Sequence, residues 1–245
     1  MSFGLRVKSG FAKIFSVFTR EIKLMKSKPT FYIAVMAVLS GLSYGMMFTL
    51  HIPIFPPPFS FLKLDFADLG VALAAVMFGS ISALTVAFVK CALYLPFDME
   101  NVGIGVLSNF ICCAAFGLAL AIICRIKRND LFLIVGFVSA ILIEAAVSLF
   151  SNYFITSRLF ILAKGAGYKI LLTPYYIFGF LLPFNLLKFG ITAALSYGIF
   201  KALQQSLPPK FGLRFPPKNI PVSVEESGTE TTADSTETVT EKGQE

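Results

Sequence analysis

Histidine occurs once in 245 residues, at His51. That scarcity argues against a histidine-based metal site and against a histidine-dependent catalytic triad. Cysteine occurs four times, at Cys91, Cys112, Cys113 and Cys124, never in C-x-x-C spacing and always inside an apolar run. Such cysteines read as small buried hydrophobes, not as metal ligands or disulfide partners. No G-x-x-x-x-G-K-[ST], H-E-x-x-H or G-x-S-x-G motif is present. The stretch "AKGAGYK" (163–169) has glycines and lysines without the phosphate-cradling order. The chain thus offers no histidine-based site, none of these motifs and no visible energy source. An energy-consuming role would require a partner protein.

Charge is also sparse, at 14% of residues, whereas apolar residues reach 56% and mean hydropathy is +0.77. Apolar runs of about 20 residues recur, the mark of an all-α integral membrane protein. The few charges are unevenly placed. Residues 222–245 hold seven acidic side chains against Lys242. This Thr/Ser/Glu-rich tail reads as disordered. The rest of the chain is basic, with lysines and arginines at the ends of apolar runs. That placement fits anionic lipid at a cytoplasmic surface and argues against nucleic acid. In the first 30 residues, Phe11, Ile14, Phe15, Phe18, Ile22 and Met25 recur at helical spacing between basic residues. This segment reads as a helix lying on the membrane.

The spans are predicted at roughly 31–50, 67–79, 81–95, 103–124, 131–154 and 174–203. Region 67–95 divides at Gly79-Ser80. Residues 1–30 carry seven Lys/Arg and one Glu, which places the N-terminus in the cytoplasm. Six spans then bring 125–128 and 201–218, both basic, to the same side, while five would move both outside. We therefore predict a six-helix bundle over 31–203 with cytoplasmic termini, and a tail from 204 that turns acidic near 222. The two halves of 67–95 are about 20–23 Å long at 1.5 Å per residue, short of a hydrocarbon core of about 30 Å. Short helices are tolerated where protein covers their ends or they line a cavity.

The last span carries "PFNLLKFG" (183–190). A lysine at mid-membrane costs about 2.5–3.5 kcal/mol on insertion scales, so Lys188 needs a partner or a task. Asn185 and Lys188 stand at i and i+3, on one face. Pro183 cannot donate to the carbonyl of Gly179 and is expected to kink the helix. Counting helix rise from the cytoplasmic ends puts Lys188, Asn185, Asn109, Asn152 and Glu144 in the outer half of the membrane. A purely structural reading pairs Lys188 with Glu144, for which Lys90 competes. Asp65 and Asp68, at the start of the second span, read most simply as helix-capping residues. The loop "HIPIFPPPFSFLKLDFADLG" (51–70) is proline-stiffened and rich in phenylalanine. It reads as a lid over an outward-facing cavity or as a strip at the lipid interface. Amides, a cation and aromatics together suit a flat, partly apolar ligand with several hydrogen-bonding groups. In the first span, Ala37, Gly41 and Gly45 form two small-x-x-x-small steps that admit a second helix closely.

Several stretches stand in a recognisable order: "FLKLDFADLG" (61–70), "FGSISALTVAFVK" (78–90), "GIGVLSNF" (103–110), "NYF" (152–154) and "PFNLLK" (183–188). Together they resemble the substrate-binding S component of energy-coupling factor (ECF) transporters, most closely the riboflavin-specific type. The resemblance runs from about 31 to 203. It implies a six-helix cell-membrane protein that binds a vitamin near its outer face. It also implies a transmembrane T component and two ATP-binding subunits as partners. Carried over by motif, the substrate-contacting positions are Lys63, Leu64, Asn109, Asn152, Asn185 and Lys188. The small residues that would meet the T component are Ala37 and Gly41. The chain departs from the family pattern at Val106 and Ser108, where a glutamate and an alanine are expected, and at Gly70 and Ser80, where proline is usual. Alternatives are an S component for folate or a thiamine precursor, a membrane enzyme using Asp65, Asp68 and Glu144, and a structural protein without a ligand.

Overall fold

The computed structural model describes residues 19, 21–22, 29–56, 59, 61–98, 102–126 and 129–206. The surface-helix reading of 11–25 and the acidic-tail reading therefore lie largely or wholly outside the described residues. Six helices dominate what is described: α1 Pro29–Thr49, α2 Asp68–Met77, α3 Ser80–Tyr94, α4 Ile104–Ile123, α5 Asp130–Lys164 and α6 Pro174–Ser206. All but α2 belong to helical segments long and apolar enough to cross a bilayer. Between α1 and α2, the strands β1 Ile52–Pro53 and β2 Lys63–Leu64 pair antiparallel.

The helices follow the logic of a lipid solvent. α1 buries Met36, Ser40, Ser43 and Met47 along one face and exposes Ile33, Val38 and Leu42. Serines point inward and branched aliphatics outward, because lipid tails welcome apolar groups while small residues allow helices to approach. At Gly70 of α2 a Cβ would collide with Ser43 and the Leu39 carbonyl of α1. Only glycine permits the two backbones to come this close.

The short helix α2 is the centre of the bundle. Every residue from Asp68 to Val76 is buried, and α2 touches α1, α3, α4 and α6. Its ten residues span about 15 Å, half a hydrocarbon core, and the surrounding helices cover it. Around Val71, Leu73 and Val76 the core gathers Phe116 of α4, Phe137 of α5 and Phe189 of α6.

The break at Gly79 is where the sequence places it. The Phe78 and Gly79 N–H groups both donate to the Ala74 carbonyl, each at 2.9 Å, closing α2. Gly79 then takes φ +114°, a conformation that side chains disfavour. The next helix is capped from the N-terminal segment. The Ser80 N–H donates to Glu21 Oε1 at 2.9 Å and the Ile81 N–H to Oε2 at 3.3 Å. Glu21 also pairs with Arg125 beyond the end of α4. An anion thus sits at the positive end of α3.

Both long C-terminal helices contain a π turn. In α5 it covers Asn152–Thr156, and the Ser157 N–H donates to the Asn152 carbonyl. In α6 it covers Ile177–Leu181, and the Leu182 N–H donates to the Ile177 carbonyl. The widened turn lies just before Pro183, the position at which the sequence predicts a kink. α5 also runs on to Lys164, ten residues past the predicted end of that span. This extension packs with the 51–67 loop and the start of α6 in a second core of Phe59, Leu62, Phe160, Leu171 and Tyr176.

Candidate functional site

The 51–67 loop closes one end of the bundle through its aromatics. Phe59 is buried, stacks on Tyr176 at 5.3 Å between ring centres and lies 4.6 Å from Phe180. Phe61 packs on Phe160 at 5.2 Å. Phe59 and Phe61 are thereby packed against α5 and α6, while Pro53 and Pro56 remain exposed. The short β1–β2 pairing, Ile52 with Leu64 and Pro53 with Lys63, fixes its register.

Beneath the loop lies a pocket between α4, α5 and α6. Its cavity volume is about 110 Å³, and the whole space among the lining atoms out to the open mouth is about 820 Å³. Of the six sequence-predicted contact residues, Lys63, Asn109, Asn152, Asn185 and Lys188 line it. Leu64 does not; it is half-buried beside Lys63 in β2.

Two polar systems form the wall. In the first, Ser148 of α5 joins both asparagines. Asn185 Nδ2 donates to Ser148 Oγ at 2.6 Å and to the Leu181 carbonyl at 3.1 Å. Asn152 Nδ2 donates to the Ser148 carbonyl at 3.0 Å. Among the described residues, no donor reaches the Oδ1 of either asparagine. Two amide carbonyls are thus left for hydrogen-bond donors from elsewhere. Ser148 was not among the predicted residues. Its place one turn before Asn152 was the signal, because i and i+4 share a face.

The second system is ionic. Lys188 Nζ donates to Asp65 Oδ2 at 3.1 Å and to Asn109 Oδ1 at 3.2 Å. Asp68 Oδ2 lies 3.1 Å from the same ammonium, and Asp68 Oδ1 pairs with Lys90. Two lysines and two aspartates from the loop, α2, α3 and α6 meet in one buried, neutral cluster.

This arrangement corrects three expectations. Lys188 does not pair with Glu144: both Glu144 oxygens are buried without a hydrogen-bond partner among the described residues. Lys90 does not compete for Glu144, because Asp68 holds it. Asp68 is not a cap, since no side chain caps α2, and Asp68 is fully buried inside the ion cluster. Asp65 also accepts from the Ala67 N–H at 3.0 Å through its other oxygen, a local contact just before α2. The aspartates are engaged with ammonium groups, which leaves them poorly suited to hold a metal. Among the described residues no group of three or more His, Cys, Asp or Glu could do so.

The site can bind a neutral ligand with mixed polarity. Its lining offers the asparagine carboxamides and an ammonium together with the rings of Phe61, Phe160 and Phe184. On α1, Ala37 and Gly41 point away from all of this. Both are exposed, and a Cβ at Gly41 or Gly45 would meet nothing within 4 Å.

Known proteins agree with this picture. The sequence model of the family "ECF transporter, substrate-specific component" matches residues 31–200. The riboflavin transporter RibU of Streptococcus thermophilus is 29% identical over 179 residues, covering 70% of this chain and 83% of that protein. RibU of Leuconostoc mesenteroides is also 29% identical, over 178 residues, with 69% and 89% covered. A solved structure of the S component of a bacterial ECF transporter superposes with a TM-score of 0.62 at 27% identity, covering 73% of this chain and 98% of that one. With its apolar helices in a matching fold and its sequence matched from the first of them into the last, the chain belongs to the substrate-specific components of ECF transporters, multi-pass proteins of the cell membrane.

Proposed function

We propose that this chain captures riboflavin as the substrate-binding subunit of an ATP-driven uptake transporter. The observation that carries the proposal is the convergence of Lys63, Asn109, Asn152, Asn185 and Lys188 on one pocket. The two RibU relatives, each covered over more than four-fifths of its length, supply the ligand. A flavin ring has an apolar face and an edge of alternating donors and acceptors. The face would lie against Phe61, Phe160 and Phe184. The edge would meet the open carbonyls of Asn152 and Asn185 and the ammonium of Lys188. Leu64, off the lining, would keep β2 in register so that Lys63 faces the mouth.

All six helices would be membrane-embedded, α2 shielded by its neighbours, with both termini in the cytoplasm as the basic flanks require. ATP hydrolysis would occur in two partner subunits. A transmembrane T component would dock on α1, where Ala37 and Gly41 leave an exposed groove of small residues.

A thermal-shift panel of riboflavin, folate and thiamine tests the ligand. Binding to the folded state raises stability by RT ln(1 + [L]/Kd), about 2.7 kcal/mol at a hundredfold excess over Kd. Riboflavin at micromolar concentration should raise Tm by several degrees and the other two should not. A shift with folate or thiamine alone would keep the transporter role and reject the substrate.

A further inference from the structure

Asp68 and Lys90 are fully buried and absent from the pocket lining. Burying two charges is costly unless each is paired, and both reach the pocket only through Lys188. We propose that Asp68 and Lys90 are positioning residues that hold the Lys188 ammonium at the pocket wall, where it faces a ligand acceptor. The proposal rests on the pocket being the substrate site.

The Lys188 ammonium has three hydrogens. Asp65 and Asn109 take two of them. Asp68 Oδ2, off the pocket lining, forms a salt bridge with the same ammonium at 3.1 Å.

Lys90 explains why Asp68 does not draw Lys188 further in. Asp68 spends its other oxygen on Lys90, so two cations share one carboxylate. The cluster as a whole is neutral, with Asp65 and Asp68 against Lys90 and Lys188. Without Lys90 it would carry one net negative charge. Lys188 would then be the sole cation between two carboxylates, and the wall would repel ligand carbonyls. Without Asp68, Lys90 would be a buried cation with no carboxylate in contact. Each single loss therefore disturbs Lys188, whereas removal of Asp68 and Lys90 together leaves Lys188 with Asp65 and Asn109.

Riboflavin titration of the folded, detergent-solubilised protein well below its Tm reads this directly. Lys90→Met should raise Kd at least tenfold. Lys90→Arg, which keeps the charge, and the double variant Asp68→Asn/Lys90→Met should both return Kd to within about threefold of the unchanged protein. An unchanged Kd in folded Lys90→Met would overturn the proposal, leaving Lys90 a packing residue. So would a double variant as weak as the single. A second measurement needs no ligand. Tm is compared for Asp68→Asn, Lys188→Met and the two combined. Each single change unbalances the cluster and the combination restores neutrality, so the combined loss should fall short of the sum by about 3 °C or more. Additive losses would overturn the proposal. If the unchanged protein does not bind riboflavin, the ligand reading fails by itself, and the Tm comparison still decides whether Asp68 and Lys188 act together.

Discussion

At the scale of single residues, a membrane chain announces its important positions by their cost. Lys188, Asn185, Asn109 and Asn152 were legible because each is expensive in hydrocarbon, and all four line one pocket. Their partners were harder to read. Depth counting from the cytoplasmic ends favoured Glu144 for Lys188, yet Asp65 and Asp68 hold it. The information was present in the hairpin. Asp68 stands eleven residues before Gly79 and Lys90 eleven after it, so a chain reversing at Gly79 brings them to one depth. Treating Asp68 as a local cap concealed this. Glu144 is the counterpart: a buried carboxyl with no hydrogen-bond partner among the described residues gains nothing from a formal charge. Glu144→Gln keeps its shape and removes that charge. We expect Tm within about one degree of the unchanged protein, or higher, in a thermal melt in detergent. A drop of several degrees would mean that the carboxylate has a structural role.

At the scale of elements, the division of 67–95 was legible and its purpose was not. Gly79 marked the turn, and the charge of the flanking segments counted α2 as a span. Its burial on all sides is a tertiary fact, set by Gly70 meeting Ser43 and by the helices around it. The π turns are a second case. Pro183 flagged α6 within a few residues, but nothing in "NYFIT" (152–156) distinguishes a π turn from ordinary helix. Both turns nevertheless border Asn152 and Asn185, in keeping with the frequency of π turns at functional sites. The α2–α3 turn permits a direct check. At φ +114°, Gly79→Ala introduces a strain of about 1–3 kcal/mol, and its Cβ would strike the Glu21 carboxylate and Arg125. Tm should fall by several degrees. An unchanged melt would show that the turn relaxes without glycine.

For the whole molecule, the proposed division of labour rests on two different faces of α1. Its buried face joins the bundle through Ser40 and Ser43, whereas Ala37 and Gly41 remain outward. Binding and energy coupling should therefore be separable. Gly41→Leu fills the outward groove without touching the pocket. We expect riboflavin Kd to stay within about threefold while recovery of the T component in a pull-down falls at least tenfold, because close helix approach depends on small residues. Equal loss of both would place the groove inside the binding unit.

The most direct measurement is a riboflavin fluorescence titration of the purified protein beside its Asn185→Leu variant. Asn185 offers an open carbonyl to the pocket and is anchored by Ser148. Leucine keeps the bulk and removes the hydrogen bonds, a loss of about 1–3 kcal/mol, or roughly 5–150-fold in Kd. The account predicts saturable quenching at one flavin per chain with submicromolar Kd, and weaker binding by that factor in the variant. Absence of quenching in the unchanged protein, or equal affinity in both, would contradict it.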